Sequence, residues 1–96
     1  MKILVKKIGG FAGIVETIID IDTTQLPVNS TKRIEQLVRK IGFFNLPNVV
    51  AQETIGADMF RYEVTITDNT QHHTVNFGEH RNPQNALLWK LINTLS

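Results

Sequence analysis

The chain has 96 residues, of which 42% are hydrophobic and 20% charged, proportions typical of a folded globular protein rather than a disordered segment. Ten basic and nine acidic side chains leave a net charge of +1, which is too small to concentrate the protein on nucleic acid or on an anionic membrane. With no cysteine there is neither a disulfide framework nor a thiolate zinc site, so we expect a single domain over residues 1–96 that is stabilised by its core alone.

Export and membrane segments are not evident. The apolar run near the start is only Ile3, Leu4 and Val5, far shorter than the core of a signal peptide. No stretch approaches the roughly 20 apolar residues that a membrane-spanning helix requires. We therefore expect a cytoplasmic protein with no membrane partner.

Two strands are predicted first, "KILVKKI" and "AGIVETIIDID", joined by the glycines of "GGFAG". In the second strand Val15, Thr17, Ile19 and Ile21 alternate with their neighbours. A phosphate-binding glycine loop would lead into a helix, whereas here a strand follows, so we interpret the glycines as a bend. The lysines of the first strand are typical of a protected sheet edge.

An amphipathic helix is predicted after the loop "TTQLPVNST", in which Asn29 and Ser30 are suitable N-caps. Its apolar stripe recurs with helical spacing, and Gly42 occupies the usual C-cap position; the stripe consists of Ile34, Leu37, Val38 and Ile41. We expect the following stretch, "FFNLPNVVAQETIGAD", to be a partly buried connection without regular structure.

The second half contains a hairpin and a second helix. "FRYEVTITD" alternates cleanly, Asp68, Asn69 and Thr70 form the turn, and the chain returns through "HHTVNF". Asn82 followed by Pro83 predicts the start of the last helix. We therefore expect an α+β domain in the order ββαββα, with a four-stranded antiparallel sheet and both helices packed on one face.

Catalytic and metal-binding sets are not recognisable in the sequence. His72 and His73 are adjacent on a strand, so their side chains point to opposite faces and cannot hold one ion together. Asp20 and Asp22 could form a carboxylate pair, but their polar neighbours suggest solvent rather than a pocket that raises one pKa. We expect no enzyme activity, no metal and no cofactor.

Leu26 is the most informative apolar residue outside the helices and strands. It stands between Gln25 and Pro27 in a polar loop, and the periodicity gives no reason for its burial. A leucine on a loop stiffened by proline suits an apolar pocket of a partner. The alternative, in which it folds back onto the sheet, has equal weight.

Six stretches occur in a recognisable combination and order: "KIGGFAGI", "TTQLP", "FFNLP", "ADMFRYEVTI", "HHTVNF" and "LLWKLINTL". Together they cover nearly the whole chain and resemble the emfourin family. These are small bacterial proteins that inhibit protealysin-like proteases, a branch of the thermolysin-type zinc metalloproteases. The resemblance implies a cytoplasmic inhibitor whose partner supplies the zinc.

The loop chemistry, together with this resemblance, suggests an inhibitory segment from Asp22 to Pro27. Its members are Asp22, Thr23, Thr24, Gln25, Leu26 and Pro27. Leu26 would enter the apolar specificity pocket, and Asp22 would lie near the zinc or a cationic group. Phe11 in the glycine bend is a rival contact, at the opposite end of the second strand. We expect a monomer when free, and a non-enzymatic module that binds an unrelated partner is the alternative function.

Overall fold

A computed structural model describes residues 1–9, 13–50 and 60–96 of the chain. Within these residues the helices and strands are β1 (Lys2–Gly9), β2 (Ile14–Asp22), α1 (Val28–Ile41), β3 (Val49–Val50), β4 (Phe60–Asp68), β5 (Gln71–Gly78) and α2 (Ala86–Leu95). Two short 3-10 turns, Thr23–Gln25 and Phe43–Asn45, flank α1. The predicted α+β class with two helices is confirmed.

The described strands form one mixed five-stranded sheet in the order β2-β1-β4-β5-β3. Three neighbouring pairs are antiparallel, whereas β3 runs parallel to β5. The prediction of four antiparallel strands in the order ββαββα is therefore wrong, because it lacks β3. A strand of only two residues is too short to show the alternation that identifies strands in a sequence.

The edge of the sheet also differs from the expectation. β1 lies between β2 and β4, so the lysines of β1 are on a central strand and do not protect an edge. The long edge strand is β2, which pairs only with β1 among the described residues. Which strand is central depends on pairing between distant segments, and the composition of one strand does not report it.

A β-bulge interrupts the pairing of β1 with β2. Val5 lies opposite Ile19 while Lys6 lies opposite Thr17, so Ile18 is an extra residue on β2. The predicted alternation of the second strand breaks at this point: Ile19 is buried, but Val15 is 59% exposed.

The core lies between one face of the sheet and the two helices. The strands contribute alternate residues such as Ile3, Val5, Val64 and Val75, all at most 1% exposed. The helices add further buried residues: Ile34, Leu37 and Val38 from the predicted stripe of α1, and Leu88, Trp89, Leu91 and Ile92 from α2. Trp89 packs in an aromatic cluster with Tyr62 and Phe77, at ring-centroid distances of 4.7 and 5.4 Å.

Helix α1 ends as its sequence predicts. Gly42 adopts the left-handed conformation, with φ of 67° and ψ of 41°, and its N–H is donated to the carbonyls of Val38 and Arg39. The start is earlier than predicted, because Val28 is already helical and Pro27 is the N-cap. Asn29 and Ser30 therefore lie in the first turn rather than before it.

Helix α2 begins at Ala86, later than the predicted start at Pro83. The side chain of Asn82 accepts hydrogen bonds from the N–H groups of Gln84 and Asn85, and this local turn competes with helix formation. Asn85 is completely buried; its Nδ2 donates to the carbonyl of His80 at 2.8 Å, and its Oδ1 accepts from the N–H of Asn82 at 2.9 Å.

The β4–β5 hairpin is confirmed, with Asp68 opposite Gln71 and a tight turn at Asn69, where φ is 53°. His72 and His73 diverge as predicted. His72 is exposed and bonds the Thr67 hydroxyl at 2.8 Å. His73 is half-buried, and its Nε2 lies 2.6 Å from the carbonyl oxygen of Leu46, which ties the segment after α1 to the sheet.

Candidate functional site

The predicted inhibitory segment, Asp22 to Pro27, connects the end of β2 to the start of α1. Its first residue ends the strand, its next three form a 3-10 turn, and Pro27 caps the helix. The segment therefore lies between two regular elements and is short. Each of its ends is fixed by one of them.

The side chain of Asp22 caps the N-terminus of the 3-10 turn Thr23–Gln25. Its Oδ1 accepts hydrogen bonds from the Thr24 hydroxyl at 2.7 Å and from the Thr24 N–H at 3.0 Å. The hydroxyl bond, and then the backbone bond, lower the pKa of Asp22 below its ordinary value of 3.8. The side chain is consequently an anion at neutral pH and cannot act as a general acid.

Thr23 fixes the segment from the inside, where it is only 1% exposed. Its N–H and its hydroxyl both donate to the carbonyl of Met1, at 2.8 and 3.2 Å. Its own carbonyl accepts from the Thr31 hydroxyl at 2.6 Å and from the Leu26 N–H at 3.1 Å. Four hydrogen bonds thus hold one residue between the chain start, the turn and helix α1.

The other predicted residues divide by exposure. Thr24, Gln25 and Pro27 are exposed, whereas Asp22 and Leu26 are half-buried. Leu26 packs against the hydrophobic core, which is the alternative that the sequence left open with equal weight. Thr23 presents no side chain to solvent, so a partner that touched this segment would meet mainly Thr24, Gln25 and Pro27.

Val28 is an exposed apolar residue that sequence reasoning missed. It is 69% exposed, the highest value among the exposed large hydrophobic residues in the described part of the chain, and it directly follows Pro27. The helical spacing contained the signal: counting back from Ile34 by three or four residues reaches Ser30 or Thr31, so Val28 is off the buried stripe. The apolar surface beside the segment therefore includes Val28 as well as part of Leu26.

Phe11, the rival contact, lies outside the described residues. The pairing nevertheless places the two ends of β2, since Gly9 is opposite Ile14 and Lys2 is opposite Asp22. Nine residues of strand span roughly 26 Å at the usual rise. The beginning of β2, next to the glycine bend, is thus far from the predicted segment, as the sequence indicated.

Catalytic geometry is not evident in the described parts of the chain. No group of three or more histidine and acidic side chains there could hold a metal ion. Asp20 and Asp22 do share one face of β2, but Asp22 is engaged with Thr24. No helix among the described residues is both long and apolar enough to cross a membrane.

A comparison with protein-family models identifies one relationship. Residues 5–93 match the model described as Emfourin, which is nearly the whole chain. Neither a curated protein nor a solved structure matches the sequence.

Proposed function

Because the chain belongs to the emfourin family, a family of protease inhibitors, we propose that it inhibits a protealysin-like zinc metalloprotease by blocking the active-site cleft. The family match over residues 5–93 carries this proposal. In it the zinc belongs to the protease, and the chain requires no cofactor. The inhibitor acts in the bacterial cytoplasm, on protease that matures before export.

The segment Asp22 to Pro27 is the proposed contact. Its support is the rigidity of the turn, since the four hydrogen bonds of Thr23 and the two from Thr24 to Asp22 fix the backbone before binding. A preorganised loop loses little conformational entropy on association, and this favours tight binding. The same rigidity holds the backbone away from the geometry needed for cleavage.

The exposed side chains define how the segment meets the cleft. Thr24, Gln25 and Pro27 form its surface, and the anionic Asp22 can face the zinc or a cationic group of the protease. Leu26 offers the part of its side chain that remains outside the core, and Val28 extends that apolar surface. Thermolysin-type enzymes prefer a bulky apolar residue in their specificity pocket, and Leu26 and Val28 are both apolar.

Titrating a protealysin-like protease with the purified protein tests whether the chain is an inhibitor of this class. Purified protein should inhibit a protealysin-like protease in a saturable manner, and thermolysin tested in parallel reports the breadth of specificity. If neither enzyme loses activity, the proposed function is wrong. The alternative, a module that binds an unrelated partner, would then be preferred.

Substitution at Leu26 tests the contact segment. We expect Leu26→Ala to weaken inhibition by about 2 kcal/mol, the size of an anchor residue. Ile41→Ala is the matched control, because Ile41 is likewise a half-buried residue packed on the core but lies at the other end of α1. The control should lower stability and leave the inhibition constant unchanged.

Two further variants separate the rival sites. Val28→Ala changes an exposed side chain and should weaken inhibition without changing the unfolding midpoint. Phe11→Ala should leave inhibition intact. If Phe11→Ala weakens inhibition while Leu26→Ala and Val28→Ala do not, the contact lies at the glycine bend instead.

A further inference from the structure

The outer edge of β2 is unusually apolar for a strand that no described element covers. Ile14 is 61%, Val15 59% and Ile18 38% exposed, so three of the six exposed large hydrophobics among the described residues lie on this one strand. Natural edge strands are commonly protected by lysine, proline or a bulge; β2 contains no lysine and no proline, and it has one bulge. Its charged residues are all acidic: Glu16, Asp20 and Asp22.

The bulge at Ile18 sets which side chains share a face. Ile19 and Ile21 lie opposite Val5 and Ile3 and therefore point to the helix side of the sheet. Before the bulge, Ile14 and Glu16 lie opposite Gly9 and Lys7, which alternate onto that same side. The other, open side carries Val15, Thr17 and Asp20. The extra residue Ile18 follows Thr17 in the chain and has no partner on β1.

This change of face makes β2 complementary to itself. When two copies pair antiparallel about a two-fold axis between Thr17 and Ile18, each residue outside the bulge meets one on its own face. The pairs are Ile14 with Ile21, Val15 with Asp20, Glu16 with Ile19, and Thr17 with Ile18. Glu16 and Asp20 then each lie opposite an uncharged residue, Ile19 and Val15 respectively. If the strand had no bulge and the two-fold axis passed through Ile18, Glu16 of one copy would instead lie opposite Asp20 of the other, and the two like charges would repel.

The layers of the two copies are also compatible. The hydrophobic core includes the second half of β2, where Ile19 is 8% exposed, and leaves Ile14 in the first half uncovered at 61%. Antiparallel pairing sets the covered half of one copy beside the uncovered half of the other. Ile14 of one copy then lies next to the half-buried Ile21 of its partner, and the two helix layers stay apart.

From these observations we infer that the free chain forms a two-fold dimer through β2, in which the five described strands of each copy join into one continuous sheet. The contact involves the nine residues of β2 in each copy, fewer than the 20–30 residues per side of a standard stable interface. The association is therefore weak and depends on concentration. This replaces the monomer expected from the sequence and does not depend on the proposed inhibition.

Sedimentation at increasing protein concentration tests the dimer. We expect the dimer fraction to rise with concentration for the unaltered chain. Ile18→Lys brings two like charges together at the two-fold axis and should raise the dissociation constant more than tenfold. An equimolar mixture of Ile18→Lys with Ile18→Glu should restore association, since the two charges then attract.

Val28→Lys is the matched control, because it also puts a lysine at an exposed apolar position, but one that lies away from β2. It should dimerise like the unaltered chain. A chain that stays monomeric up to about 1 mM, in the range where even weak interfaces associate, contradicts the inference. Equal loss of the dimer in Val28→Lys and Ile18→Lys would also contradict the inference.

Disulfide trapping tests the register, since the chain has no cysteine of its own. A mixture of Val15→Cys and Asp20→Cys should cross-link on oxidation, because these positions face each other in the dimer. Val15→Cys alone should not, since its two copies are about five residues, or roughly 16 Å, apart along the strand, beyond the reach of a disulfide. If Val15→Cys alone cross-links as readily as the mixture, the register is wrong.

Discussion

Thr23 shows how one small polar residue can hold a surface segment rigid. Its N–H and hydroxyl converge on the carbonyl of Met1, and its own carbonyl receives the Thr31 hydroxyl and the Leu26 N–H. A buried polar group is stable only when its hydrogen bonds are made, and here each polar atom of the residue has a partner. The exposed neighbours Thr24 and Gln25 therefore project from a backbone that does not need to be ordered on binding.

Asp22 should make stability depend on pH in the acidic range. Since its pKa is lowered in the folded state, its contribution is present above the ordinary value of 3.8 and is lost as the pH falls through the lower, folded-state pKa. Asp22→Asn should reduce the loss of thermal stability between pH 5 and about pH 3. Thr24→Val, which removes the hydroxyl bond, should raise the pKa of Asp22 in an NMR titration.

The control for this measurement is Asp20→Asn, on the same face of β2. Thr24 bonds Asp22 and not Asp20. If Asp20→Asn and Asp22→Asn reduce the loss of thermal stability at acid pH equally, that loss comes from the overall charge of the strand rather than from the turn.

Asn85 is the second polar residue on which a turn depends. Asn85→Ala should lower the free energy of unfolding by about 2 kcal/mol, because the substitution removes a buried donor to His80 and a buried acceptor for the Asn82 N–H. Urea denaturation measures the change. Gln84→Ala, at an exposed neighbouring position, should change stability by less than about 0.5 kcal/mol.

At the scale of single elements, α1 is the one whose C-terminal end and buried face follow most directly from its sequence. Ile34, Leu37 and Val38 of its apolar stripe are buried, Ile41 is half-buried, and Gly42 ends the helix in the left-handed conformation. β2 is the opposite case, since its bulge arises from pairing with β1 and shifts the face of every residue before Ile18. Alternation in a sequence assumes regular pairing, so a bulge cannot be seen in it.

The C-cap of α1 gives a sharp test of backbone strain. Gly42→Ala should destabilise the protein by about 1 kcal/mol, because φ is 67° and a non-glycine residue is strained there. Apart from its own neighbours along the chain, no atom of the described residues lies within 4 Å of the added Cβ, so the cost is conformational and not steric. Gly78→Ala meets equally open space without a positive φ, and it should be close to neutral. If Gly42→Ala and Gly78→Ala lower the stability by similar amounts, backbone strain at Gly42 is not the cause.

At the scale of the whole molecule, stability depends on one small core between the sheet and the two helices. Small domains are stable by only about 5–15 kcal/mol, so a single large cavity removes a substantial part of that. Leu91, at 0% exposed, lies within this core, whereas Leu87 on the same helix is 37% exposed.

Leu91→Ala should therefore cost about 3 kcal/mol, from lost burial and the cavity left behind. Leu87→Ala removes the same atoms from a partly exposed position and should cost less than about 1 kcal/mol. Chemical denaturation of both variants measures the difference. Comparable losses would mean that α2 packs with a different face.

The fold could be predicted as far as its local patterns extend. The α+β class, the β4–β5 hairpin, the stripe of α1 and the divergence of His72 and His73 each depend on spacing within one segment. β3, the central place of β1 and the bulge depend on contacts between distant segments. For the candidate site, the sequence located Asp22 to Pro27 between two elements, and the helical spacing placed Val28 off the buried stripe, but only packing shows that Thr23 points inward and that Leu26 packs on the core.

The bonds between Thr23 and Met1 also bear on how the protein should be handled. Because the carbonyl of Met1 is held beside the Asp22–Pro27 segment, a purification tag fused ahead of Met1 would emerge next to that segment and could shield it. Ser96 follows α2 and is tied to the last turn of that helix by its bonds to Ile92. A tag after Ser96 leaves the Met1 region unaltered, and assays should use that form or the cleaved protein.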